Sequence, residues 1–247
     1  MSNYYNRQWR LPNAWNGTES NVNKQSNYSM DFDGSSYIDA GTDTSLSLQG
    51  NFTISFWFNT SAFSSLPTQF VLSRVDGSNV GWRVQFDGTS VSLRAYDGLN
   101  SSKIEIIYDG ATLTLPSVNA WHHLVFTYDG GNYPACYLDG SAVVVKEGFS
   151  NWSTLTMPTS AYNFRIGNSA GSNYYNGKLD AVAIFDYALS ASQVTTLYGS
   201  SSTGIGNPMS LSPKPVAYYP LGDQDSFNGA NYLVPNSSLK DYVFDFD

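Results

Sequence analysis

The segment Phe52-Thr-Ile-Ser-Phe-Trp-Phe-Asn59 alternates apolar and polar side chains with a period of two. Phe52, Ile54, Phe56 and Phe58 fall on one side of a strand, and Thr53, Ser55, Trp57 and Asn59 on the other. The pattern predicts phenylalanines in a core and Trp57 on a partly wet face. Short β-patterned runs follow at Phe70–Val75, Gly81–Phe86, Val91–Tyr96, Lys103–Tyr108, His122–Tyr128, Ala135–Leu138, Ala142–Lys146, Tyr162–Ile166 and Lys178–Phe185. Asp-Gly pairs punctuate them at 76–77, 87–88, 97–98, 109–110 and 139–140. Such pairs supply the positive φ angles of tight hairpins. A single segment, Leu189–Tyr198, reads as helix, with Ser190 as N-cap, Gln193 completing a capping box and Gly199 closing it. Short strands in this number with one short helix predict an all-β fold, a two-sheet antiparallel jelly-roll sandwich.

The same pattern divides the chain. Residues 1–27 are polar and irregular, an N-terminal extension; 28–198 carry the sandwich; 199–216 form a Ser-, Gly- and Pro-rich linker; 217–247 form a C-terminal extension. That extension repeats the entry of the sandwich. Tyr28, Met30, Asp31, Phe32 and Asp33 align with Tyr242, Phe244, Asp245, Phe246 and Asp247, and Tyr219 and Leu221 resemble Trp9 and Leu11. We read an incomplete internal repeat, as if a second copy began where the chain stops. Three explanations of Tyr242–Asp247 stand open: truncation of a multi-domain chain, strand addition to a neighbouring copy, or folding back beside the N-terminal segment.

Composition narrows the function. Only 13% of residues are charged, 15% are aromatic and the net charge is −8. That balance disfavours nucleic acid and anionic membranes as partners and suits cations and neutral polar ligands. No stretch is long and apolar enough for membrane insertion, and the N-terminus has no apolar signal-peptide core. The one cysteine, Cys136, sits in an apolar run and is expected as a buried inert thiol. Sequons begin at Asn16, Asn27, Asn51, Asn59, Asn100, Asn151 and Asn236. In so Asn- and Ser-rich a chain they are read as chance occurrences without glycan.

Four motifs occur in order: Met30-Asp-Phe-Asp-Gly-Ser-Ser-Tyr-Ile38; Trp121-His-His-Leu-Val-Phe-Thr-Tyr-Asp-Gly130 with Cys136-Tyr-Leu-Asp-Gly140; Phe164-Arg-Ile-Gly167; and Gly177–Ser190 before the helix. Together they resemble the concanavalin A-like family of laminin G and pentraxin-type domains over about residues 28–198. The flanks Gln8–Asn13, Ile205–Ser210 and Ala217–Gly222 further resemble laminin G-like virion proteins of marine bacteriophages. The resemblance implies a carbohydrate- or protein-binding sandwich, often with one Ca²⁺, and no catalysis. It would make the chain a virion surface protein, on a capsid or fibre, assembled in the host cytoplasm. Partners would be glycans, further copies of the chain, or other virion proteins reached through the terminal segments. The alternative is the carbohydrate-binding module of a bacterial surface adhesin, extracellular or on the cell surface.

Candidate residues follow from the chemistry each ligand needs. Sandwich glycanases carry paired carboxylates. Here Glu105 and Glu147 stand alone, and no strand shows a Glu-x-Asp-x-Glu pattern, so we expect no enzyme. Adjacent His122 and His123 point to opposite strand faces and cannot chelate one metal; packing or hydrogen bonding is their expected role. Sugar stacking wants an exposed ring with amides nearby, which singles out Trp152 and the cluster Asn173, Tyr174, Tyr175 and Asn176. Trp82 and Tyr96 lie in strands, and Trp57 and Trp121 are assigned to packing. For Ca²⁺, which takes six to eight oxygens, the resemblance points to Asp39, Asp43 and Asp180.

Overall fold

The computed structural model describes residues 29–221, apart from 64–67, 77, 79, 89, 100, 108–114, 150, 158–161, 170–172 and 200–204, together with the short strands Ser226–Phe227 and Tyr232–Leu233. Two antiparallel sheets face one another. The first has the order β1 (Met30–Asp33), β13 (Asn176–Phe185), β3 (Phe52–Thr60), β8 (His122–Tyr128), β9 (Ala135–Leu138) and β10 (Ser141–Val143). Strand β14 (Ala217–Tyr219) also pairs with β13. The second has the order β11 (Val145–Phe149), β7 (Ser101–Ile107), β6 (Ser90–Tyr96), β5 (Gly81–Phe86), β4 (Gln69–Val75), β12 (Phe164–Ile166) and β2 (Ile38–Asp39). This is the jelly-roll sandwich that the alternation predicts.

Phe52, Ile54, Phe56 and Phe58 are buried between the sheets with Trp82, Phe86, Phe126, Phe164 and Tyr175. The opposite face of β3 is buried too, at Thr53 and Ser55, which the pattern alone left exposed. Helix α1 (Ala191–Tyr198) covers it, forming a second apolar cluster of Val125, Ala183, Phe185, Leu189, Val194 and Leu197. Both arms of the capping box are made: Gln193 N donates to Ser190 Oγ at 3.3 Å and Ser190 N to Gln193 Oε1 at 2.9 Å. The caps satisfy helix-end groups that would otherwise lie unpaired beside a buried face.

Three differences from the sequence reading have physical causes. The run Ala142–Lys146 is not one strand: it breaks at Val144, 75% exposed, where the chain crosses from the first sheet to the second. Alternation is local and carries no information about which sheet a residue joins. The sandwich also extends past residue 198. β14 lies on β13, Tyr219 meets Phe164 at 5.6 Å, and Tyr219 and Leu221 are core residues, so 217–221 belongs to the domain and not to a separate extension. Trp121, expected in packing, is 40% exposed. The N-terminal extension and the repeated tail Tyr242–Asp247 lie outside the described residues. At the β9–β10 turn Asp139 and Gly140 have φ of 50° and 76°, the twin left-handed conformation of the hairpins that Asp-Gly favours.

Candidate functional site

Tyr37 and Asp39 flank Ile38, and Arg165 lies between Phe164 and Ile166. Each apolar residue turns into the core, so Tyr37, Asp39 and Arg165 must face outward. Pairing of β12 with β2 sets Arg165 opposite Asp39. The Arg165 guanidinium lies 6.0 Å from the centre of the Tyr37 ring, and its Nε is 3.9 Å from Asp39 Oδ2. Asn163 Nδ2 donates to the same carboxylate oxygen at 2.6 Å. Tyr174 completes the group, its ring 6.2 Å from that of Tyr37 and tilted by 53°. Tyr37 is 44% exposed.

The backbone beneath is pinned from several directions. Asp33 Oδ1 accepts from the N–H and hydroxyl groups of Ser35 and Ser36 at 2.8–2.9 Å. These bonds, the Ser35 N–H foremost, hold the Asp33 carboxyl down at about 2. Gly34 N donates to Tyr175 O at 3.1 Å, Phe70 N to Asn173 O at 2.8 Å, and Asn176 N to Gln69 Oε1 at 2.9 Å. Two loops are thereby fixed side by side, with exposed Tyr37 on one and half-buried Tyr174 on the other.

The structure divides the expected ligand set. Asn173, Tyr174 and Asn176 belong to the surface just described. Tyr175 does not: it is fully buried between Phe32 and Phe86, and its hydroxyl donates to Asn59 O at 3.1 Å and lies 3.3 Å from Lys178 O. Burial pushes its phenol far above the usual range. Trp152 is likewise a packing residue, 3% exposed, against Phe52 at 5.4 Å and Tyr128 at 6.1 Å. It sits at the Phe52 end of β3, whereas Asn176 sits at the Thr60 end. Eight strand steps separate those ends, roughly 27 Å. The residues missed from sequence are Tyr37, Arg165 and Asn163, because only the β2–β12 pairing brings them beside Tyr174.

The three aspartates considered for Ca²⁺ lie on different features. Asp39 is taken up by Asn163, Arg165 and the N–H of Gly41 at 3.0 Å. Asp43 caps the 3-10 turn Thr44–Ser47 through Ser45 N and Oγ at 3.0 and 2.9 Å. Asp180 lies in the other sheet, opposite Trp57, and accepts from Ala181 N at 2.7 Å. Among the described residues no three His, Cys, Asp or Glu gather as a metal set. The three named aspartates therefore do not make one Ca²⁺ site.

The histidines hold structure together. His123 is buried, its Nε2 2.8 Å from Ser55 Oγ and its ring 5.0 Å from Trp57; burial lowers its pKa to about 3. His122 Nδ1 meets Asp139 Oδ2 at 2.8 Å, while its Nε2 lies 3.0 Å from Ser117 Oγ and 3.1 Å from Ser117 O. Ser117, His122 and Asp139 thus form a chain of the kind used for nucleophilic catalysis. Here the Ser117 carbonyl competes with the hydroxyl for Nε2, Ser117 is exposed to water, and Asp139 Oδ1 also accepts from His123 N at 2.8 Å. The arrangement clamps the β8–β9 hairpin to the loop before it. Register sets Glu105 opposite Lys146 and Glu147 opposite Ile104, so the two glutamates are not a registered pair. Cys136 is buried, and burial raises its thiol pKa.

Residues 32–195 match a laminin G-type family model described as the concanavalin A-like lectin/glucanases superfamily. Among solved structures, a candidate carbohydrate binding protein from Bacteroides ovatus is similar, at 16% identity with a TM-score of 0.55 over 85% of this chain and 56% of that one. The binding domain of botulinum neurotoxin serotype G is similar at 17% identity and a TM-score of 0.50, over 69% of this chain and 41% of that one. The chain spans little more than half of these structures at most, and the likeness is one of fold. No curated protein matches in sequence.

Proposed function

This chain belongs to the concanavalin A-like lectin/glucanase superfamily, and from that premise we propose that it is a non-catalytic glycan-binding module that works through the Tyr37–Tyr174 surface. The observation that carries the reading is the pair of tyrosines on two braced loops, next to Arg165, Asn163 and Asp39. A tyrosine face packs against the C–H side of a pyranose, and planar guanidinium, amide and carboxylate groups fix hydroxyl directions. The fixed backbone lowers the entropy lost on binding. The carbohydrate-binding description of the Bacteroides ovatus neighbour supports this ligand class. The absence of a registered glutamate pair supports binding without turnover.

For its setting we favour a virion surface or fibre, assembled through the terminal segments, on the resemblance of the flanks. A bacterial surface adhesin is the second reading. Capsid genes beside the coding sequence favour the first, and an export signal in the full-length gene the second. The binding reading is tested by glycan array with and without Ca²⁺, followed by calorimetric titration of the best glycan. Tyr37→Ala and Arg165→Ala should each weaken binding tenfold or more. Full affinity in Tyr37→Ala would move the site elsewhere; no bound glycan in any condition would end the reading.

A further inference from the structure

On the outer face of the second sheet, one row of residues crosses strands β2, β12, β4, β5, β6 and β7. Register places Asp39 opposite Arg165, Arg165 opposite Ser73, Ser73 opposite Arg83, Arg83 opposite Arg94 and Arg94 opposite Lys103. Phe164, Leu72, Val84 and Leu93 beside them are core residues, so Arg165, Ser73, Arg83 and Arg94 point away from the core. The chain has 12 Lys and Arg against 20 Asp and Glu, yet four cations and one acid share this row. Like charges directly opposite across strands destabilise a sheet, as at Arg83–Arg94 and Arg94–Lys103. Asp39 and Asp87 answer part of the charge, each 3.9 Å from an arginine, Arg165 and Arg94 respectively, and Glu105 stands one row on, opposite Ser92. A fold that keeps such a cost in one place has a use for the charge.

The centre of the row is held in position. Arg83 Nε donates to Gln85 Oε1 at 3.1 Å, and its guanidinium lies 4.8 Å from the centre of the Phe70 ring and 5.4 Å from that of Tyr96. Burial foremost, with Arg94 acting in the same direction, lowers the Arg83 pKa, though a guanidinium stays charged at neutral pH. Two uncharged groups along the row are unsatisfied. Ser92, two positions from Arg94 on the same face, is fully buried, and its hydroxyl has no hydrogen-bond partner among the described residues. Neither polar atom of the Asn168 side-chain amide has one, although Asn168 is fully buried and its carbonyl accepts from Ser73 Oγ at 2.7 Å in the middle of the row. A buried polar group without a partner costs about 1–3 kcal/mol.

We infer that this row carries an acidic glycan across the sheet, its carboxylate or sulfate groups on Arg165, Arg83 and Arg94 and its hydroxyls meeting Ser92 and Asn168. The site rests on the Tyr37–Tyr174 reading and extends it, because Arg165 belongs to both, and it names the charge that the ligand must bear. Arg165 and Arg94 stand three strand spacings apart, roughly 14 Å. That length suits a short run of sugar rings and exceeds what a single anion needs. Guanidinium groups hold such oxyanions through paired, charge-assisted hydrogen bonds. The net charge of −8 repels a polyanion from the rest of the surface, so the row also fixes where such a chain lies.

The test is calorimetric titration of the full chain with matched hexasaccharides: a galacturonate against its methyl ester, and a sulfated galactan against the unsulfated one. In at least one pair the acidic member should bind roughly tenfold more tightly in about 50 mM salt and lose most of that advantage in about 500 mM. The pair that responds tells carboxylate from sulfate. Arg83→Gln and Arg94→Gln, in different strands, should each weaken the acidic member roughly fivefold. Equal affinity for acidic and neutral members, weakened together by Tyr37→Ala, overturns the inference and leaves the Tyr37 surface standing. So does an acidic preference that neither arginine variant reduces, or an equal affinity for single-stranded DNA of the same charge. Silence toward every oligomer, acidic and neutral, overturns both.

Discussion

The rings of Trp57 and Tyr198 lie 5.6 Å apart with planes 11° from parallel, so the last residue of α1 is stacked on the outer face of the first sheet. His123 packs against both rings, 5.0 Å from that of Trp57 and 6.2 Å from that of Tyr198. Trp57, expected on a partly wet face and in packing, is half-buried under the helix that the capping box starts and this stack ends. Gly140 lies beneath: a Cβ there would fall 2.9 Å from Tyr198 Cδ1.

Tyr198→Ala should lower stability by about 1.5 kcal/mol, the stack plus part of its burial. Gly140→Ala should cost at least as much, because φ of +76° is strained for alanine and the methyl meets the ring. In the Tyr198→Ala background the clash is gone and only the backbone cost remains. Urea denaturation of the two single variants and the double should therefore give less than the sum.

Acid sensitivity should centre on His123. Its folded pKa of about 3 lies below the unfolded 6.5, so the unfolded state binds more protons between those values. Stability is unaffected by this group above pH 6.5 and falls as pH drops towards 3, at up to about 1.4 kcal/mol per pH unit. Asp33, held at about 2 against 3.8, adds loss in the same direction only below pH 4. Between pH 6.5 and 4, His123→Asn should flatten the slope measured by chemical denaturation; an unchanged slope would mean that His123 ionises freely in the fold.

Binding and stability should separate along the Tyr-Tyr pair at 174–175. Tyr175→Phe removes a hydroxyl that donates to the Asn59 carbonyl and should cost about 1 kcal/mol with glycan affinity unchanged. Tyr174→Ala should change stability by less than about 0.5 kcal/mol, as surface changes do, while weakening glycan binding. Thermal melts and calorimetry on the two variants decide it; the reverse pattern would place the ligand against the core.

Ser117 should resist a fluorophosphonate probe. Its partner His122 is shared with a backbone carbonyl, and Asp139 also anchors the His123 N–H. Labelling lost in His122→Ala would make the Ser117–His122–Asp139 chain reactive and reopen an enzymatic reading.

The sandwich was legible because its information is local. Alternation at 52–58, the Asp-Gly turns at 87–88, 97–98 and 139–140 and the Ser190–Gln193 box each act within a few residues, and each appears in place, while the pair at 109–110 lies outside the described residues. What escaped the sequence depends on pairing across long separations. Tyr37, Arg165 and Tyr174 meet only because β2 lies on β12 and the Asp33–Tyr37 loop lies on Tyr175. Trp152 and Tyr174 looked equivalent as loop aromatics, yet they occupy opposite ends of β3. Tyr175 differs from Tyr174 by one position, and that single step exchanges surface for core. Val144 broke an apparently continuous strand because apolar residues suit either sheet.

Strands β1 and β14 run in the same direction along one edge of β13, Met30 beside Leu179 and Tyr219 beside Val182. The two ends of the described domain therefore approach within roughly 10 Å, three strand steps, at mid-edge. A polypeptide with this geometry can be threaded onto a larger assembly like a pendant on a cord. Met30 and Leu221 both lie at the flank, and the pole with Tyr37 stands clear of them. A short bridge from Leu221 to Met30, with new ends opened in a distant loop, should preserve the sandwich and present the same face from a different attachment point.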